Sequence, residues 1–538
     1  MFLEGLKIVT LPGKGRCLVA TRSYQTGDVI FSAKPYAAVA FDSHFTQVCH
    51  SCFRSGQNLL RCGRCGFAFY CDRTCRQEGW PQHSLECADM QNCGLPTDNV
   101  RLVARILRRV IKDSVFGAEG EIISPDRLET HIERLSNDER QAMEQDVTAC
   151  LQFCPAAAKH FDTAFILQML QIVNLNSLIL TDQSGVKAMG VGLFPTISLL
   201  NHDCWPNCCV TFNNGNRQAN KTTFHSSARA ELRVMRAINA DEELTVSYLS
   251  FVGLAEERRA FLLRDYFFEC NCVHCQDQTQ DTLLTAAKVR NSPDVIISDA
   301  FPPPPPPNAV WIVWVILVIL HRAGRCELAK VQGTQMWKLR SREQQSKDID
   351  AKQVAEDSKH ALGKVDMALA ERHWDEVWSL CKEALDKHLP VLADTNIYLL
   401  RMLSAAAEAA THNRELGIAA IYAARAVTGY RDVCHPKSPQ LLDAFVRAGA
   451  LCYGSALYED AHTFLCEALA ILIVTHGATH ARTKYIQVMK VKVEREIALL
   501  RMNEVVPRVV QSERALERKS ELHGLLEPYI KTIFPRRY

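Results

Sequence analysis

Short apolar runs and alternating positions mark the first half of the chain as strand-forming. Asp28 to Phe31 and Ala37 to Phe41 are β-like runs, and within Arg229 to Ile238 the residues Ala230, Leu232 and Val234 share one face of an extended chain. The turn Asn213-Asn214-Gly215-Asn216 after CCVTF predicts a hairpin, because Asn and Gly tolerate the backbone such a turn requires. Arg101 to Lys112 departs from this pattern. Leu102, Val103, Ile106, Leu107, Val110 and Ile111 recur at helical spacing, opposite Arg101, Arg105, Arg108 and Arg109. A basic stripe of this kind suits contact with nucleic acid, but a solvated helix face is the simpler expectation.

From about Val354 onward the pattern becomes alanine-rich, helical and repetitive. HWDEVWSLCKEAL from His373, ELGIAAIYAARAV from Glu415 and LYEDAHTFLCEAL from Leu457 align with a period of 42 residues. Trp374, Leu416 and Tyr458 correspond, as do Ala384, Ala426 and Ala468, and Leu385, Val427 and Leu469. Small residues at recurrent positions let helices approach closely, as in stacked hairpins of the tetratricopeptide kind, which either bind a partner or buttress the other half. Residues of roughly 290 to 345 fit neither half. Six prolines, Pro302 to Pro307, precede twelve apolar residues from Ala309 to Leu320, a run too short to span a bilayer. An insertion foreign to the fold is favoured over a membrane-surface anchor.

At 538 residues the chain calls for two or three domains, and 62 basic against 60 acidic groups leave no bulk charge to attract nucleic acid or anionic membrane. The start shows no charged leader with an apolar core, so a reducing compartment is expected and the 22 cysteines read as metal ligands before disulfides. Seven of them fall between Cys49 and Cys87, as Cys49-x2-Cys52, Cys62-x2-Cys65, Cys71-x3-Cys75 and His83-x3-Cys87. Eight ligands suffice for two tetrahedral zinc ions. Interleaving gives pairs one and three one ion, and pairs two and four the other, bracing a segment too small for its own core. Redox-active thiol pairs would not need four consecutive pairs, the last led by a histidine. A third site is suggested by Cys270-x-Cys272-x2-Cys275, whose fourth ligand the spacing leaves open among Cys204, Cys208 and Cys209.

The first cluster resembles a MYND zinc finger over its whole length. That resemblance implies a protein-interaction module for proline-containing peptides, and Phe67, Phe69, Tyr70 and Trp80 supply aromatic surface, unless they only fill its core. Three further pieces, GKGR at Gly13 to Arg16, NHDCWPNC at Asn201 to Cys208 and DEELTVSY at Asp241 to Tyr248, precede the CxCxxC run. In this order they resemble a SET-domain lysine methyltransferase split by a MYND finger, the SMYD family. TFNNGN, ADTNIYLLRMLS and IVTHGATH resemble its striated-muscle member most.

The resemblance implies an α+β multidomain fold: a split SET β-fold with inserted finger and helical insert, a zinc-bound post-SET segment and C-terminal TPR-like helical repeats. Expected boundaries are 1–48 (SET, N-terminal part), 49–87 (finger), 88–180 (helical insert), 181–250 (SET core), 251–280 (post-SET), 281–350 (insertion and linker), 351–502 (helical domain) and 503–538 (tail). It implies S-adenosylmethionine and three zinc ions as cofactors, and it selects Cys208 as the fourth ligand of the third zinc. Tyr248 is the implied catalytic residue, at the end of a strand on which Leu244, Val246 and Tyr248 share a face. Lys14, Gly15, Arg16, His131, Asn176, Asn201, His202 and Phe268 are the implied cofactor contacts, and Tyr266 lines the implied lysine channel. Two departures stand out: Cys17 replaces a glycine of the muscle member and Asp241 a glycine of the family, each costing about 1 kcal/mol or more if its backbone is left-handed. Implied substrates and partners are histone H3 (an H3K4-type lysine) and muscle proteins, proline-containing peptides at the finger, and chaperone or myosin-related proteins at the helical domain. No direct membrane partner is expected. Nucleus and cytoplasm are the implied locations, with transcription and myofibril assembly the implied roles; a catalytically weak recruiting scaffold is the rival reading.

Overall fold

The computed structural model describes residues 4–113, 123–182, 184–213, 229–287 and 351–503. The proposed insertion and most of the expected Asn213 to Asn216 turn lie outside them. The chain forms two compact units, one of residues 1–277 with 465–538 and one of residues 278–464.

The first unit is built from short strands. β1 (Leu6–Leu11) and β2 (Gly15–Ala20) form an antiparallel hairpin, and its turn places Gly13 and Gly15 at φ of 75° and 72°. β3 (Val29–Ala33) joins β10 (Cys208–Asn213) and β11 (Arg229–Val234) in the order β10-β11-β3, and Ala230, Leu232 and Val234 are buried on one face as the alternation predicted. β4 (Ala37–Ala40), β7 (Ser177–Thr181) and β8 (Ala188–Leu193) form a second antiparallel sheet in the order β4-β8-β7. β5 (Leu60–Arg61) and β6 (Phe69–Tyr70) pair inside the zinc-finger segment, while β9 (Asn201–His202) and β12 (Thr245–Val246) run parallel. Helices α1 (Arg73–His83), α2 (Cys87–Cys93), α3 (Asp98–Asp113), α4 (Asn137–Phe153) and α5 (Thr163–Asn176) lie between β6 and β7. The helices α6 (Ala255–Tyr266) and α7 (Val273–Gln276) follow the last strand.

The basic stripe of α3 is not solvated. Arg101, Arg105 and Arg108 are only 1%, 6% and 5% exposed. β4 pairs with β8 along one side only, so its other edge carries carbonyls that need donors. Arg101 donates to the carbonyl of Ala40 at 2.8 Å, Arg105 to that of Ala38, and Arg109 to that of Tyr36 at 2.5 Å. Four residues of helix rise about 6 Å and two residues of strand about 6.6 Å, so arginines at i, i+4 and i+8 match alternate carbonyls of the edge. Arg101 and Arg105 are balanced by Asp42 and Glu86, and the neighbouring Arg108 by Asp89. Helical periodicity exposes the stripe to view but cannot show that the opposite partner is a strand edge instead of water.

The finger packs into the same core. Phe53, left-handed at φ 58°, is buried with Cys49, Tyr70, Met90, Leu102 and Phe194 in one cluster. A Cβ at Gly190 of β8 would lie 2.3 Å from the Val39 carbonyl oxygen and 2.8 Å from the Phe53 ring, so only glycine admits this approach. Of the two departures, Cys17 sits within β2, paired with Val9 and fully buried, with no left-handed strain. Asp241 does stand at φ 67°, beside Lys7 in an exposed ion pair.

The second unit is helical. Among the described residues, α8 (Thr279–Leu284) is followed by α9 (Ala351–Glu371), α10 (Trp374–His388), α11 (Ile397–His412), α12 (Leu416–Val433) and α13 (Pro439–Gly454); α14 (Tyr458–Thr475) runs from the second unit into the first, and α15 (Ala481–Asn503), which ends the described chain, belongs to the first. The 42-residue period is visible in the backbone. α10, α12 and α14 begin at the corresponding Trp374, Leu416 and Tyr458, and the helices before them are stopped, one or two residues past their ends, by Arg372, Arg414 and Ala456, left-handed at φ 61°, 63° and 60°. Each stop makes the same bonds: His373, Glu415 and Leu457 donate to the carbonyls of Ala368, Ala410 and Cys452 at 3.0, 2.8 and 2.8 Å. This is a Schellman C-cap made three times without glycine. Ala384, Ala426 and Ala468 are buried, as close helix approach requires.

Candidate active site and zinc centres

The finger ligands meet as the spacing predicted: Cys49, Cys52, Cys71 and Cys75 form one set and Cys62, Cys65, His83 and Cys87 the other, the donor atoms of each within 4.8 Å of one another. Asp72 starts α1 by accepting from the Cys75 amide at 2.9 Å, and α1 carries both Cys75 and His83. His83 turns Nε2 toward Cys62 and Cys65, at 3.4 and 3.5 Å, leaving Nδ1 3.7 Å from a Glu86 carboxylate oxygen.

The third set corrects the expectation of Cys208. Cys204 joins Cys270, Cys272 and Cys275, again with donors within 4.8 Å, and its sulfur is 3.4 Å from that of Cys275. Cys208 is the first residue of β10, opposite Val234, and is fully buried in the core, where burial pushes its thiol pKa up. Its sulfur is not among the converging donors. Cys209 is also in β10 and directs its thiol to the Thr475 carbonyl at 3.9 Å. Cys204 lies in the turn between β9 and β10, outside either ladder. Arg258 is 95% buried beside this set and donates to Cys275 Sγ at 3.6 Å and to the Gly253 carbonyl at 2.6 Å.

The segments around NHDCWPNC and DEELTVSY cross each other. Thr245 and Val246 pair with Asn201 and His202, and the Asp203 amide donates to the Val246 carbonyl at 3.0 Å. Buried Asn207 pins the crossing, accepting from the Thr245 amide at 2.9 Å and donating to the Glu243 carbonyl at 2.8 Å. β12 ends at Val246, so Tyr248 is two residues beyond the strand expected to carry it. Its amide donates to His202 Nδ1 at 2.9 Å and its hydroxyl to the Leu200 carbonyl at 2.6 Å. Tyr266 lies 4.8 Å from the Tyr248 ring, Phe268 6.3 Å away and edge-on, and His202 5.3 Å away. Burial, with the Tyr266 phenol beside it, pushes the Tyr248 phenol above its ordinary pKa, and burial pushes His202 down to about 4.

Most of the remaining cofactor residues converge. Asn201 donates to Glu243 Oε1 at 3.0 Å and to the Lys14 carbonyl at 3.5 Å, while Lys14 Nζ pairs with Glu243 at 2.6 Å. Arg16 pairs with Glu129 at 2.7 Å, and the Glu129 carbonyl accepts from Asn176 at 3.0 Å. His131, left-handed at φ 47°, lies 5.7 Å from Phe267, whose carbonyl accepts from Arg134 at 2.5 Å. Thus the helical insert reaches the site through 129–134. Apart from the glycine and its chain neighbours, no heavy atom of the described residues lies within 4 Å of a Cβ built at Gly13 or Gly15, so the hairpin presents open backbone there.

A family model for the MYND finger matches residues 49–87. Histone-lysine N-methyltransferase SMYD1 of Homo sapiens is 38% identical over 93% of this chain and 92% of its own length, and the Mus musculus counterpart is 39% identical over the same shares. Histone-lysine N-methyltransferase SMYD3 of Mus musculus is 26% identical over 89% of this chain and 96% of its own. The chain belongs to the SMYD family.

Within this SMYD protein, the expectations from sequence assign no role at the site or the zinc centres to Glu129, Glu243, Glu86 or Arg105. Glu243 stands in the DEEL motif, and the charge complement of Lys14 to it is the one signal that sequence offers. Glu129 is joined to Arg16 only by folding, across 113 residues.

Proposed function

We infer that this SMYD protein transfers methyl groups from S-adenosylmethionine to protein lysine side chains, with histone H3 as the proposed substrate and muscle proteins as further ones. The residues present suit the cofactor. Lys14 and Arg16 offer cationic donors for its carboxylate, the open backbone at Gly13 and Gly15 admits close approach, and Phe268 offers a ring for the adenine. Both imidazole nitrogens of His202 face protein atoms, so its peptide group, not its ring, is the proposed cofactor contact. Bound there, S-adenosylmethionine supplies an electrophilic methyl on sulfonium sulfur.

The rest of the chemistry is positioning. A lysine with a reference pKa of about 10.4 costs about 4 to 5 kcal/mol to present as free amine at pH 7, and a dry aromatic channel lowers that cost by disfavouring the ammonium. Alignment of amine and methyl contributes roughly 7 to 11 kcal/mol more. The observation that carries the reading is the bond from Tyr248 to Leu200. Its hydroxyl has one proton, already donated to a carbonyl, so toward substrate the oxygen accepts an N–H and aims the amine's lone pair. It is not a base in its ionised form, because burial holds the phenol protonated.

Tyr248→Phe is the test. Methyl transfer to a histone peptide should fall on the order of a hundredfold, as mispositioning typically costs, while cofactor affinity changes less than about threefold. Unchanged turnover would remove Tyr248 from this role. Proline-containing peptides at the finger, chaperone or myosin-related proteins at the helical repeats, and activity in both nucleus and cytoplasm complete the proposal; the striated-muscle resemblance supports them.

A further inference from the structure

Tyr248 leaves the sheet two residues after β12, so the ladder does not hold the backbone amide that seats it. His202 holds it. Because an amide can only donate, the 2.9 Å contact fixes His202 Nδ1 as acceptor, and the neutral ring then carries its proton on Nε2. That nitrogen lies 3.3 Å from Cys204 Sγ, in the third zinc ligand set. A metal-bound thiolate is an acceptor, so the proton on Nε2 points at the group able to receive it.

We propose that His202 is a positioning residue that joins the third zinc centre to Tyr248, donating from Nε2 to the Cys204 thiolate and accepting at Nδ1 from the Tyr248 amide. Its effect on turnover rests on the methyltransferase reading, whereas its effect on zinc does not. One ring does both, and a displaced thiolate would turn the ring and unseat the tyrosine. Strand pairing restrains the backbone on both sides, through Val246 opposite His202 and the 3.0 Å bond from the Asp203 amide to the Val246 carbonyl. The ring is therefore the part free to follow the sulfur. Arg258 also serves the set, interacting with both Cys204 and Cys275, but its other donations go to the carbonyls of Gly253 and His274, so it supports the zinc without reaching Tyr248.

Two isosteric changes separate the bonds. His202→Asn keeps an acceptor near Nδ1 and cannot reach Cys204; His202→Gln keeps a donor near Nε2 and loses the acceptor. Zinc-loaded full-length protein is assayed for zinc release to 4-(2-pyridylazo)resorcinol, with Cys204→Ser marking the phase that belongs to the third site, and for kcat and cofactor Kd on a lysine peptide. His202→Asn should release the third zinc ten- to a hundredfold faster, the usual cost of losing an outer-shell partner, and keep the larger share of kcat. His202→Gln should hold zinc near the wild-type rate while kcat drops tenfold or more. Equal loss of kcat in both, or zinc release unchanged in His202→Asn, overturns the relay. If wild-type protein methylates nothing, the functional reading fails instead, and the zinc arm still decides the bond to Cys204.

Discussion

Arg105 closes on both carboxylate oxygens of Glu86, and the pair is buried between the zinc finger and the edge of β4. Glu86 also faces Nδ1 of the zinc ligand His83, and Arg105 donates to the Ala38 carbonyl. One ion pair thus links the second finger zinc to the SET sheet. Removing one partner leaves the other charged and buried, which costs about 3 to 5 kcal/mol. Glu86→Ala should therefore lower the melting temperature of the whole first unit, with finger and sheet lost together. Separate finger unfolding, seen by calorimetry as a new low-temperature transition, would show that the link is dispensable.

Zinc content discriminates Cys204 from Cys208 as the fourth ligand. Wild-type protein should carry three zinc ions, Cys208→Ser should keep all three, and Cys204→Ser should keep two. Elemental analysis on folded material reads this directly. Two ions in Cys208→Ser with three in Cys204→Ser would assign the metal to Cys208 instead.

Patterns that repeat or pair along the chain were legible. The finger's ligand pairing, the burial alternation of β11 and the first residues of α10, α12 and α14 follow from local spacing. What failed depended on direction in space. Cys204 and Cys208 are four residues apart, and only the start of β10 decides which sulfur points to the CxCxxC loop. The arginines of α3 show the same limit, since a helical stripe has the same spacing whether it faces water or a strand edge. The helix stops are hidden in the sequence because glycine is the usual signal there, and arginine and alanine stand in its place.

Those stops carry a stability cost. A non-glycine residue in the left-handed region pays about 1 to 2 kcal/mol, partly offset by the greater unfolded-state entropy of glycine. Ala456 is exposed at φ 60°, so Ala456→Gly removes only a methyl group that makes no core contact. It should stabilise the protein by up to about 1 kcal/mol, read as a higher urea midpoint. Asp241→Gly, also left-handed, should gain less, because it gives up the Lys7 pair. Destabilisation by Ala456→Gly would show that the cap does not strain its residue.

Acid should weaken the first unit through His476 and His480, whose rings lie 4.8 Å apart. Burial pushes both below the ordinary histidine pKa; Arg482 and Arg233 add to this for both, and His480 also for His476, while Glu231 and the Phe212 carbonyl oppose it for His480. His480 accepts the Arg482 amide at Nδ1 at 3.1 Å and donates from Nε2 to the Phe212 carbonyl at 3.0 Å, so an added proton would put two donors face to face. The folded state binds these protons less readily than the unfolded chain. Stability is therefore fully present above the unfolded value of about 6.5 and is lost as pH falls below it, by up to about 1.4 kcal/mol per pH unit for each proton. His476→Gln with His480→Asn, which keeps an acceptor for Arg482, should flatten the urea midpoint between pH 6.5 and pH 5 relative to wild type at about those values. Zinc loss in acid affects both proteins alike, so the difference between their slopes isolates the histidines, and equal slopes would mean that neither ring is held neutral by the fold.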